Sequence, residues 1–517
     1  MSYPQLNQQF VVDRFNQKNA SNTSASFPDP ATFHLPEKIL QFGSGAFLRG
    51  FFDYFIHTAN QQNRFNGRIV VAQSTGGKRS EILENQDGLY TLCAMGLANG
   101  EPVESFTVCS SISRAIVANE DWQSVLSVAE SPELEIIVSN TTEAGIVFDE
   151  TDRIDREPPT TFPGKLTAVL YRRFLTFRGD ESRGLIILPC ELLENIGTVL
   201  RGIVLQLADI WQLGGGFKDW VIGANRFCNT LVDRIVPGKP DTARMEQLTA
   251  HLGFRDEMLT CSELYSLFAI EGGSDLQEKL AFCDDNPSII VRENIDDFRE
   301  RKLRLLNASH TISVPLAYLC GFEYVIEMMN DPKISGFVES VMRREIAPCL
   351  EMDSQIVNRY IDDVLQRFRN PYLKHALLDI TVQSTMKMRN RVLQLITRYH
   401  LKSGDFPKLI CLGYAAYLRF MKAPTQDGNH FFGEINGVRY PVNDAAASYF
   451  MEQWQAFDAG EIVNTEALVS EICSNRFIWP DNIENGKTFI HQVSQYLDAI
   501  LRDGPEATLT TVLENYK

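Results

Sequence analysis

The amino-acid sequence predicts two domains of different class: an N-terminal α/β domain with a mostly parallel sheet, followed by a mainly α-helical C-terminal domain. The chain has 517 residues, more than one hydrophobic core usually organises, so two domains are expected. Short apolar runs alternate with helical spacing up to about residue 295, and only helical spacing continues beyond it. We therefore divide the chain into an N-terminal extension (1–36), an α/β domain (37–295) and a helical domain (296–517).

Short apolar runs predict the strands of the sheet. They are unbroken rather than alternating, which is typical of parallel strands buried on both faces. Stretches with helical spacing lie between them, as in Gly197–Leu207. The predicted strands are Lys38–Phe42, Arg68–Gln73, Glu135–Ser139, Gly184–Leu188 and Trp220–Gly223.

The helical domain is predicted from segments with apolar residues at helical spacing. Because proline inside a helix removes a hydrogen bond and clashes with the preceding turn, Pro315 is expected to start a new helix directly after His310. The N-terminal extension is rich in Asn, Gln and Ser, and we expect it to be poorly ordered or to lie on the surface. The predicted helices are 296–312, 315–329, 335–348, 354–368, 371–396, 407–422, 442–456, 466–474 and 485–501.

Composition and charge restrict the classes of function. The formal net charge of −17 argues against nucleic-acid or anionic-membrane partners. It leaves a small molecule as the partner, and an anionic one would need a locally cationic pocket. The cysteines form no C-x-x-C pair, the N-terminus lacks an apolar signal segment, and no apolar run is long enough for a membrane helix. We expect a cytoplasmic monomer or homodimer without a metal site.

A glycine-rich turn follows the first predicted strand and opens a helical stretch. In Gly43-Ser44-Gly45-Ala46-Phe47-Leu48, the first glycine permits a tight turn, and the second lets backbone N–H groups approach a pyrophosphate. Leu48 stands where a third glycine is usual, so the helix is expected to lie slightly further from the strand. The pattern predicts a Rossmann-like dinucleotide-binding domain, whose cofactor contacts at the turn are Phe42, Gly43, Ser44, Gly45, Ala46 and Phe47.

The second predicted strand does not end in the acidic residue that usually holds the adenosine ribose. It runs instead into Ser74-Thr75-Gly76-Gly77-Lys78-Arg79. We place Ser74 and Thr75 among the cofactor contacts and leave two interpretations of the following cations open. Either Lys78 and Arg79 accept the 2′-phosphate of NADP, or they face water on an exposed turn.

The segment Arg301–His310 (RKLRLLNASH) carries the predicted catalytic groups. At about 100° per residue of α-helix, Asn307 and His310 lie roughly 140° and 80° around the axis from Lys302. One helical face can therefore present an ammonium, an amide and an imidazole, which together can polarise a carbonyl oxygen and protonate it. The alternative is a solvated basic helix with a capping Asn and a core His.

Two segments together resemble the long-chain polyol and uronate dehydrogenases, the family that includes mannitol 2-dehydrogenase. They are Gln41–Gly50 (QFGSGAFLRG) and Lys302–His310 (KLRLLNASH), and the K-x(4)-N-x(2)-H spacing of the second is the more specific. The resemblance extends from Leu35 to the C-terminus and implies an NAD-linked oxidoreductase. Further segments resemble the uronate reductases of the family and imply reduction of a hexuronate ketone, a sugar acid: Gln86–Leu92, Ser139–Ile146, Pro189–Gly197, Thr230–Val236 and Arg367–His375.

The resemblance also implies roles for individual residues. Lys302 would be the general acid/base, Asn307 would hydrogen-bond the reacting oxygen, and His310 would orient the substrate. The other implied contacts are Asn140 and Thr141 with the cofactor, Glu143 on the proton path beside the lysine, and Asp233 and Lys387 with the substrate chain.

One motif departs from the mannitol dehydrogenases. Their C-D-N-L motif supplies a second Asn to the reacting oxygen, whereas this chain reads Cys190-Glu191-Leu192-Leu193. The variant is similar to that of uronate reductases, and it leaves Asn307 as the amide donor.

A uronate also carries a carboxylate, for which a cationic clamp is expected. We assign Arg369 and His375 in RFRNPYLKH to substrate binding, with Lys165 as a further cation. The alternative is that the arginines of this segment form ordinary surface ion pairs. Three other functions stay open: a fructuronate reductase, a mannitol-type polyol dehydrogenase, and a non-catalytic dinucleotide-binding sensor.

Overall fold

The computed structural model describes residues 3–16, 24–74, 76–98, 100–141, 145–480 and 486–516. The chain divides into two compact units, Met1–Gly96 with Pro102–Ile295, and Leu97–Glu101 with Asp296–Lys517. The first unit contains a parallel sheet and the second is mostly helical, so the predicted fold class is confirmed. None of the described helices combines the length and the apolar character needed to cross a bilayer.

A six-stranded parallel sheet organises the first unit. Its spatial order is β6-β3-β2-β7-β8-β9, which is 3-2-1-4-5-6 in order along the chain, the order of a doubly wound Rossmann sheet. Adjacent residues Ile39 and Leu40 are fully buried in different hydrophobic clusters, so both faces of the sheet are covered. The strands are β2 Glu37–Phe42, β3 Arg68–Gln73, β6 Ile112–Val117, β7 Ile136–Ser139, β8 Ile186–Pro189 and β9 Arg226–Phe227.

Two smaller sheets accompany it, in the orders β1-β5-β4-β11 and β10-β12-β13. Their strands are β1 Ala25–Ser26, β4 Tyr90–Ala98, β5 Glu101–Cys109, β10 Thr230–Asp233, β11 Thr260–Glu263, β12 Leu267–Glu271 and β13 Ile289–Arg292. The helices of the first unit are α1 Gln8–Asn16, α2 Ala46–Arg49, α3 Phe52–Gln61, α4 Lys78–Asn85, α5 Trp122–Ala129, α6 Phe162–Thr176, α7 Ile196–Ile210, α8 Gly215–Gly223, α9 Thr242–Leu252 and α10 Ser274–Lys279.

One predicted strand is wrong, because Trp220–Gly223 lies in helix α8. Phe217, Trp220 and Val221 are buried, whereas Ile222 is 55% exposed. This burial follows the helical period of the segment. A four-residue apolar run is compatible with either structure, and the period is visible only over a longer window.

The N-terminal extension was expected to be poorly ordered or to lie on the surface, and its described part is mostly exposed or partly exposed, with a few buried side chains. Helix α1 buries Val11, and Leu6 just before it is fully buried. The ring of Phe10 lies 5.3 Å from that of Phe254, and β1 adds a parallel strand beside β5. A few apolar side chains anchor this segment, and its average composition, which is polar, does not indicate them.

The second unit contains helices throughout its length. They are α11 Asp296–Arg301, α12 Ser309–Leu319, α13 Val325–Asn330, α14 Pro332–Ser340, α15 Ser354–Phe368, α16 Leu377–Thr381, α17 Ser384–Arg391, α18 Leu393–Ser403, α19 Lys408–Phe420, α20 Ala447–Asp458, α21 Thr465–Ser474, α22 Gly486–Asp503 and α23 Pro505–Glu514. Two segments are π-helical. Lys302–Ala308 joins α11 to α12, and Val341–Ile346 extends α14.

Pro315 does not begin a helix, contrary to the prediction, but lies inside α12. The helix therefore continues past His310 as far as Leu319. Pro315 and both of its neighbours are buried, so tertiary packing holds the proline in a helix that local preference disfavours.

The second unit also contains an antiparallel sheet, which the sequence analysis missed. Its strands are β14 Thr425–Asp427, β15 His430–Ile435 and β16 Val438–Pro441. Asn436 and Gly437 both have positive φ, of 51° and 77°, and link β15 to β16. An Asn-Gly pair between apolar runs is a strong hairpin signal, and it could have revealed this sheet.

Candidate active site

The glycine turn lies at the point where the order of the parallel sheet reverses. Gly43 follows β2, while Ser74 and Asn140 follow its two neighbours, β3 and β7. The carboxyl ends of parallel strands meet at one edge, so these residues share that edge. Ligands of doubly wound sheets bind outside the carboxyl ends at this reversal point.

The backbone of the turn fits a close ligand. Gly43 has a φ of +118°, and a Cβ there would lie 3.3 Å from the carbonyl oxygen of Asn140. At Gly45, by contrast, a Cβ would meet no described atom within 4 Å. The first glycine is needed by the fold, and the second leaves space in front of the backbone. Both properties fit a dinucleotide phosphate.

The helix after the turn is shorter than predicted. Only Ala46–Arg49 is helical before Gly50, and a second helix begins at Phe52. A Cβ at Gly50 would lie 2.8 Å from a methyl carbon of Val236, so the break permits close packing. Leu48, in place of the third glycine, is buried, and its Cδ1 would lie 3.8 Å from a Cβ at Gly43.

Side chains hold the turn in place. The hydroxyl of Ser44 donates to Gln73 Oε1 at 2.9 Å, and Arg49 Nη1 donates to the Ser44 carbonyl at 2.5 Å. Gln41 Nε2 donates to the Gly43 carbonyl at 3.0 Å. The second strand thus ends in a glutamine that supports the turn, where an acid was expected. Gln41 and Gln73 were not identified from the sequence.

The end of β7 is held by a buried carboxylate. The backbone N–H of Thr141 donates to Glu191 Oε1 at 2.9 Å, and the hydroxyl of Ser139 donates to Oε2 at 3.2 Å. Asn140 Nδ2 donates to the carbonyl of Cys190 at 2.7 Å. Burial raises the pKa of Glu191. The variant motif therefore has a structural function: its glutamate holds Thr141 and its Cys190 carbonyl holds Asn140, the two residues predicted here to contact the cofactor.

Leu192, which replaces the second Asn of the mannitol dehydrogenases, is 66% exposed. A leucine side chain cannot donate a hydrogen bond. Asp233 ends β10 and is buried, and Lys165 lies buried in α6 with Nζ donating to the Thr160 carbonyl at 3.0 Å. Thr75 and Glu143 lie outside the described residues.

In the second unit, the predicted catalytic helix has π-helical geometry from Lys302 to Ala308. A π-helix hydrogen-bonds residue i to residue i+5, so residues five apart lie nearly above one another. Lys302 and Asn307 are therefore closer around the axis than the 140° expected for an α-helix. Single π turns are frequent at functional sites, and this one brings the positions of Lys302 and Asn307 closer together around the helix axis.

Exposure along the helix rules out the alternative of a solvated basic helix. Within residues 304–317, only Asn307 and His310 are not buried. Arg304 is buried and donates to Glu300 and to the Arg391 carbonyl, at 3.0 and 2.7 Å. Lys302 is partly exposed at the start of this stretch. The helix is thus part of the core, and the predicted catalytic residues are among its partly exposed positions, although Nε2 of His310 is itself buried.

His310 lies in a cationic environment. Its ring stacks on Phe368 with centroids 3.9 Å apart, and the ring of His375 is 6.1 Å away. Among the described residues, none hydrogen-bonds His310 Nε2. Burial, followed by the nearby charges of His375, Arg367, Arg391 and Lys387, lowers the pKa of His310 well below its usual value. The imidazole is therefore neutral at physiological pH.

The remaining residues predicted to bind the substrate differ in how deeply they are buried. Lys387 is partly buried, with Nζ donating to the Ile380 carbonyl at 2.8 Å, and burial lowers its pKa. Burial also lowers the pKa of His375. Arg369 is exposed at the end of α15, whereas Arg367 is buried and its charge lowers the pKa of His310. Arg367, rather than the predicted Arg369, is therefore the arginine of this segment whose charge lowers the pKa of His310, because the last turn of α15 turns Arg367 inward.

Two family models match the chain, the Mannitol dehydrogenase Rossmann domain over residues 37–282 and the Mannitol dehydrogenase C-terminal domain over residues 294–501. The chain belongs to the mannitol dehydrogenase family. The resemblance inferred from the sequence is confirmed, and so is the enzyme class, an oxidoreductase acting on a CH–OH group.

Curated relatives within the mannitol dehydrogenase family narrow the comparison. The altronate oxidoreductase of Bacillus subtilis (strain 168) is 37% identical over 474 residues, 92% of this chain and 95% of the relative. That of Halalkalibacterium halodurans is 37% identical over 484 residues, 93% of this chain and 94% of the relative. The structure of Pseudomonas fluorescens mannitol 2-dehydrogenase in a ternary complex with NAD and D-mannitol has a TM-score of 0.71 at 21% identity, with 99% of both chains covered, and shows the shared fold.

Proposed function

We propose that this oxidoreductase reduces the ketone of D-tagaturonate to D-altronate with NADH and catalyses the reverse oxidation with NAD. The observation that carries the proposal is the buried helix from which Asn307 and His310 emerge beside a group of cations. The names of the altronate oxidoreductase relatives support the choice of substrate.

The dinucleotide would be held by the glycine turn and by the ends of β3 and β7. The residues concerned are Phe42–Phe47, Ser74, Asn140 and Thr141; the Cys190 carbonyl accepts from Asn140, and Glu191 accepts from Thr141. When bound, the nicotinamide supplies or accepts the hydride. The open space in front of Gly45 allows the backbone to approach the pyrophosphate.

The catalytic helix acts on the oxygen of the reacting carbon. Lys302 donates a proton to that oxygen in reduction and removes it in oxidation. Asn307 donates an amide hydrogen bond to the same oxygen, and Leu192 supplies no second one. His310 is neutral, so its imidazole orients a substrate hydroxyl without adding a positive charge. A function for Glu143 in proton transfer rests on the family resemblance alone.

NAD is favoured over NADP by the charges near the second strand. A groove of about 480 Å³ lies between α4 and β6, beside the end of β3. Its lining carboxylates would repel a 2′-phosphate, and its cation Arg114 is already paired with Glu37 at 2.9 Å. The carboxylates are Glu81, Glu84, Glu120 and Asp121.

The test is cofactor absorbance with a panel of ketoses. We expect the protein to oxidise NADH faster with D-tagaturonate than with D-fructuronate or D-fructose, and faster than NADPH with the same substrate. Fastest turnover of fructuronate or fructose would replace the proposal by one of the sister activities. Cofactor binding without turnover of any substrate in the panel would support the non-catalytic sensor.

A further inference from the structure

The positive charges around His310 converge from separate elements of the second unit. Arg367 lies at the end of α15, and its neighbour Phe368 stacks beneath the imidazole. Lys387 and Arg391 lie four residues apart on α17, which places them on one face of that helix. Arg391 Nη1 also reaches Thr311 Oγ1, next to His310, at 3.4 Å.

The charge balance of this cluster is locally positive although the whole chain carries −17. The five strongest influences on the pKa of His310 all lower it, and none of them is a carboxylate. Carboxylates act one step further out: Asp444 on Lys387, Asp379 on His375 and Asp363 on Arg367. An anionic ligand beside His310 would therefore relieve repulsion among the cations, whereas a neutral ligand would not.

The geometry points to Arg391, supported by Arg367, as the group that binds the carboxylate of the substrate. We propose that Arg391 determines specificity for a sugar acid over the corresponding uncharged ketose. This inference rests on the proposed function and names the part of the site that recognises the acid. Arg391 is partly exposed and its planar guanidinium can hold a carboxylate with two parallel hydrogen bonds, which a lysine cannot do.

The experiment compares Arg391→Gln with Arg389→Gln, a matched control on the same helix. Arg389 Nη1 donates to the Phe477 carbonyl at 2.9 Å, and Arg389 is absent from the main influences on His310. For each variant, kcat/KM is measured with D-tagaturonate and with D-tagatose, the uncharged ketose. A hydrogen bond to a charged group contributes about 1.5–3 kcal/mol, which is about a 10- to 100-fold change.

We expect Arg391→Gln to lose about 10- to 100-fold in kcat/KM for the uronate, mainly through KM, with little change for the ketose. Arg391→Lys should recover part of the loss, and Arg389→Gln should behave as the wild type. An unchanged ratio of uronate to ketose in Arg391→Gln would overturn the inference while leaving the proposed function intact. No turnover of the uronate by the wild type would instead refute the proposed function.

A measurement on the wild type keeps the inference testable if the variants do not fold. D-altronate and its uncharged amide are compared as competitive inhibitors of uronate reduction. We expect the carboxylate to bind at least about tenfold more tightly than the amide, since the amide lacks the charge that the guanidinium recognises. Equal inhibition constants would overturn carboxylate recognition.

Discussion

The glycine turn of the first unit and the surroundings of His310 in the second unit differ in how their polar groups are satisfied. At the glycine turn, Ser44, Asn140 and Thr141 are engaged in hydrogen bonds with neighbouring protein groups. In the second unit, His310 Nε2 has no hydrogen-bond partner among the described residues, and the charges that most lower the pKa of His310 are cationic. The polar groups of the turn are thus satisfied within the protein, whereas His310 Nε2 lies beside cations that the proposed sugar-acid carboxylate would neutralise.

This comparison predicts that chemistry and cofactor affinity can be separated by mutation. Lys302→Ala should reduce kcat by about 10²–10⁴-fold, the usual contribution of a general acid/base. The dissociation constant for NADH should stay unchanged, because the glycine turn belongs to the other unit. Stopped-flow kinetics and fluorescence titration measure the two quantities. Lys333→Ala, at an exposed lysine paired with Glu506 at 3.1 Å, is the control, and a similar loss in it would contradict the assignment.

The converse change is made at the second glycine of the turn. A valine at Gly45 meets open space and an ordinary backbone conformation, with φ of −66°, so the free energy of unfolding should be unaffected. Its side chain would occupy the space proposed for the pyrophosphate, and we expect the NADH dissociation constant to rise about 10- to 100-fold, about 1.4–2.7 kcal/mol. Calorimetric titration provides the measurement. Unchanged affinity in a folded Gly45→Val protein would place the cofactor elsewhere.

Gly43→Ala should show the opposite behaviour to Gly45→Val. At a φ of +118°, a side chain costs about 1–3 kcal/mol of backbone strain, and the added Cβ would press on the Asn140 carbonyl. We expect the free energy of unfolding of the first unit to fall by that amount in urea titrations. If Gly43→Ala were as stable as the wild type, the turn would not need the geometry described here.

The last prediction is a pH dependence of stability that both units share. Burial raises the pKa of Asp53 in the first unit and of Glu345 in the second to about 7, from 3.8 and 4.5. Each carboxyl binds more protons when folded than when unfolded, so the free energy of unfolding should fall as pH rises from about 4 to about 7. The slope is at most about 1.4 kcal/mol per pH unit for each group.

Replacement by the neutral amide separates these two contributions. Asp53→Asn should remove the slope for the first unit and Glu345→Gln that for the second, as monitored by urea unfolding at several pH values. Asp121, an exposed helix cap, provides the control as Asp121→Asn, because its lowered pKa confines its own effect on stability mainly to pH values below about 4. Stability that rises from pH 4 to 7 in the wild type and is unaffected by either amide would contradict this account.

Much of the fold could be predicted where one residue pattern allows a single structure. The strand Arg68–Gln73 and the helix 354–368 were predicted with the bounds that the structure has. The strand at Trp220–Gly223 failed because four apolar residues suit both structures, and Pro315 failed because packing overrides local preference. The first error comes from too short a window, because the helical period shows over Gly215–Gly223, and only the second is decided by tertiary contacts.

The site was predictable to a similar extent. The spacing of Lys302, Asn307 and His310 is the basis for the proposed reactive groups, but the π-helix that brings the first two closer around the axis has no known signal in the sequence. Arg369 was preferred to Arg367 because residues two apart on a helix cannot be ranked without knowing which side is buried. Arg391 was missed although it follows Lys387 by four residues, a spacing that could have indicated a shared face.

The most direct test of the central claim is a crystal structure of the protein with NAD and D-altronate. The account predicts Lys302 Nζ and the Asn307 amide about 2.6–3.2 Å from the oxygen of the reacting carbon, with the carboxylate of the sugar acid against the Arg391 guanidinium. A bound altronate whose reacting oxygen lies away from Lys302 and Asn307 would contradict the account.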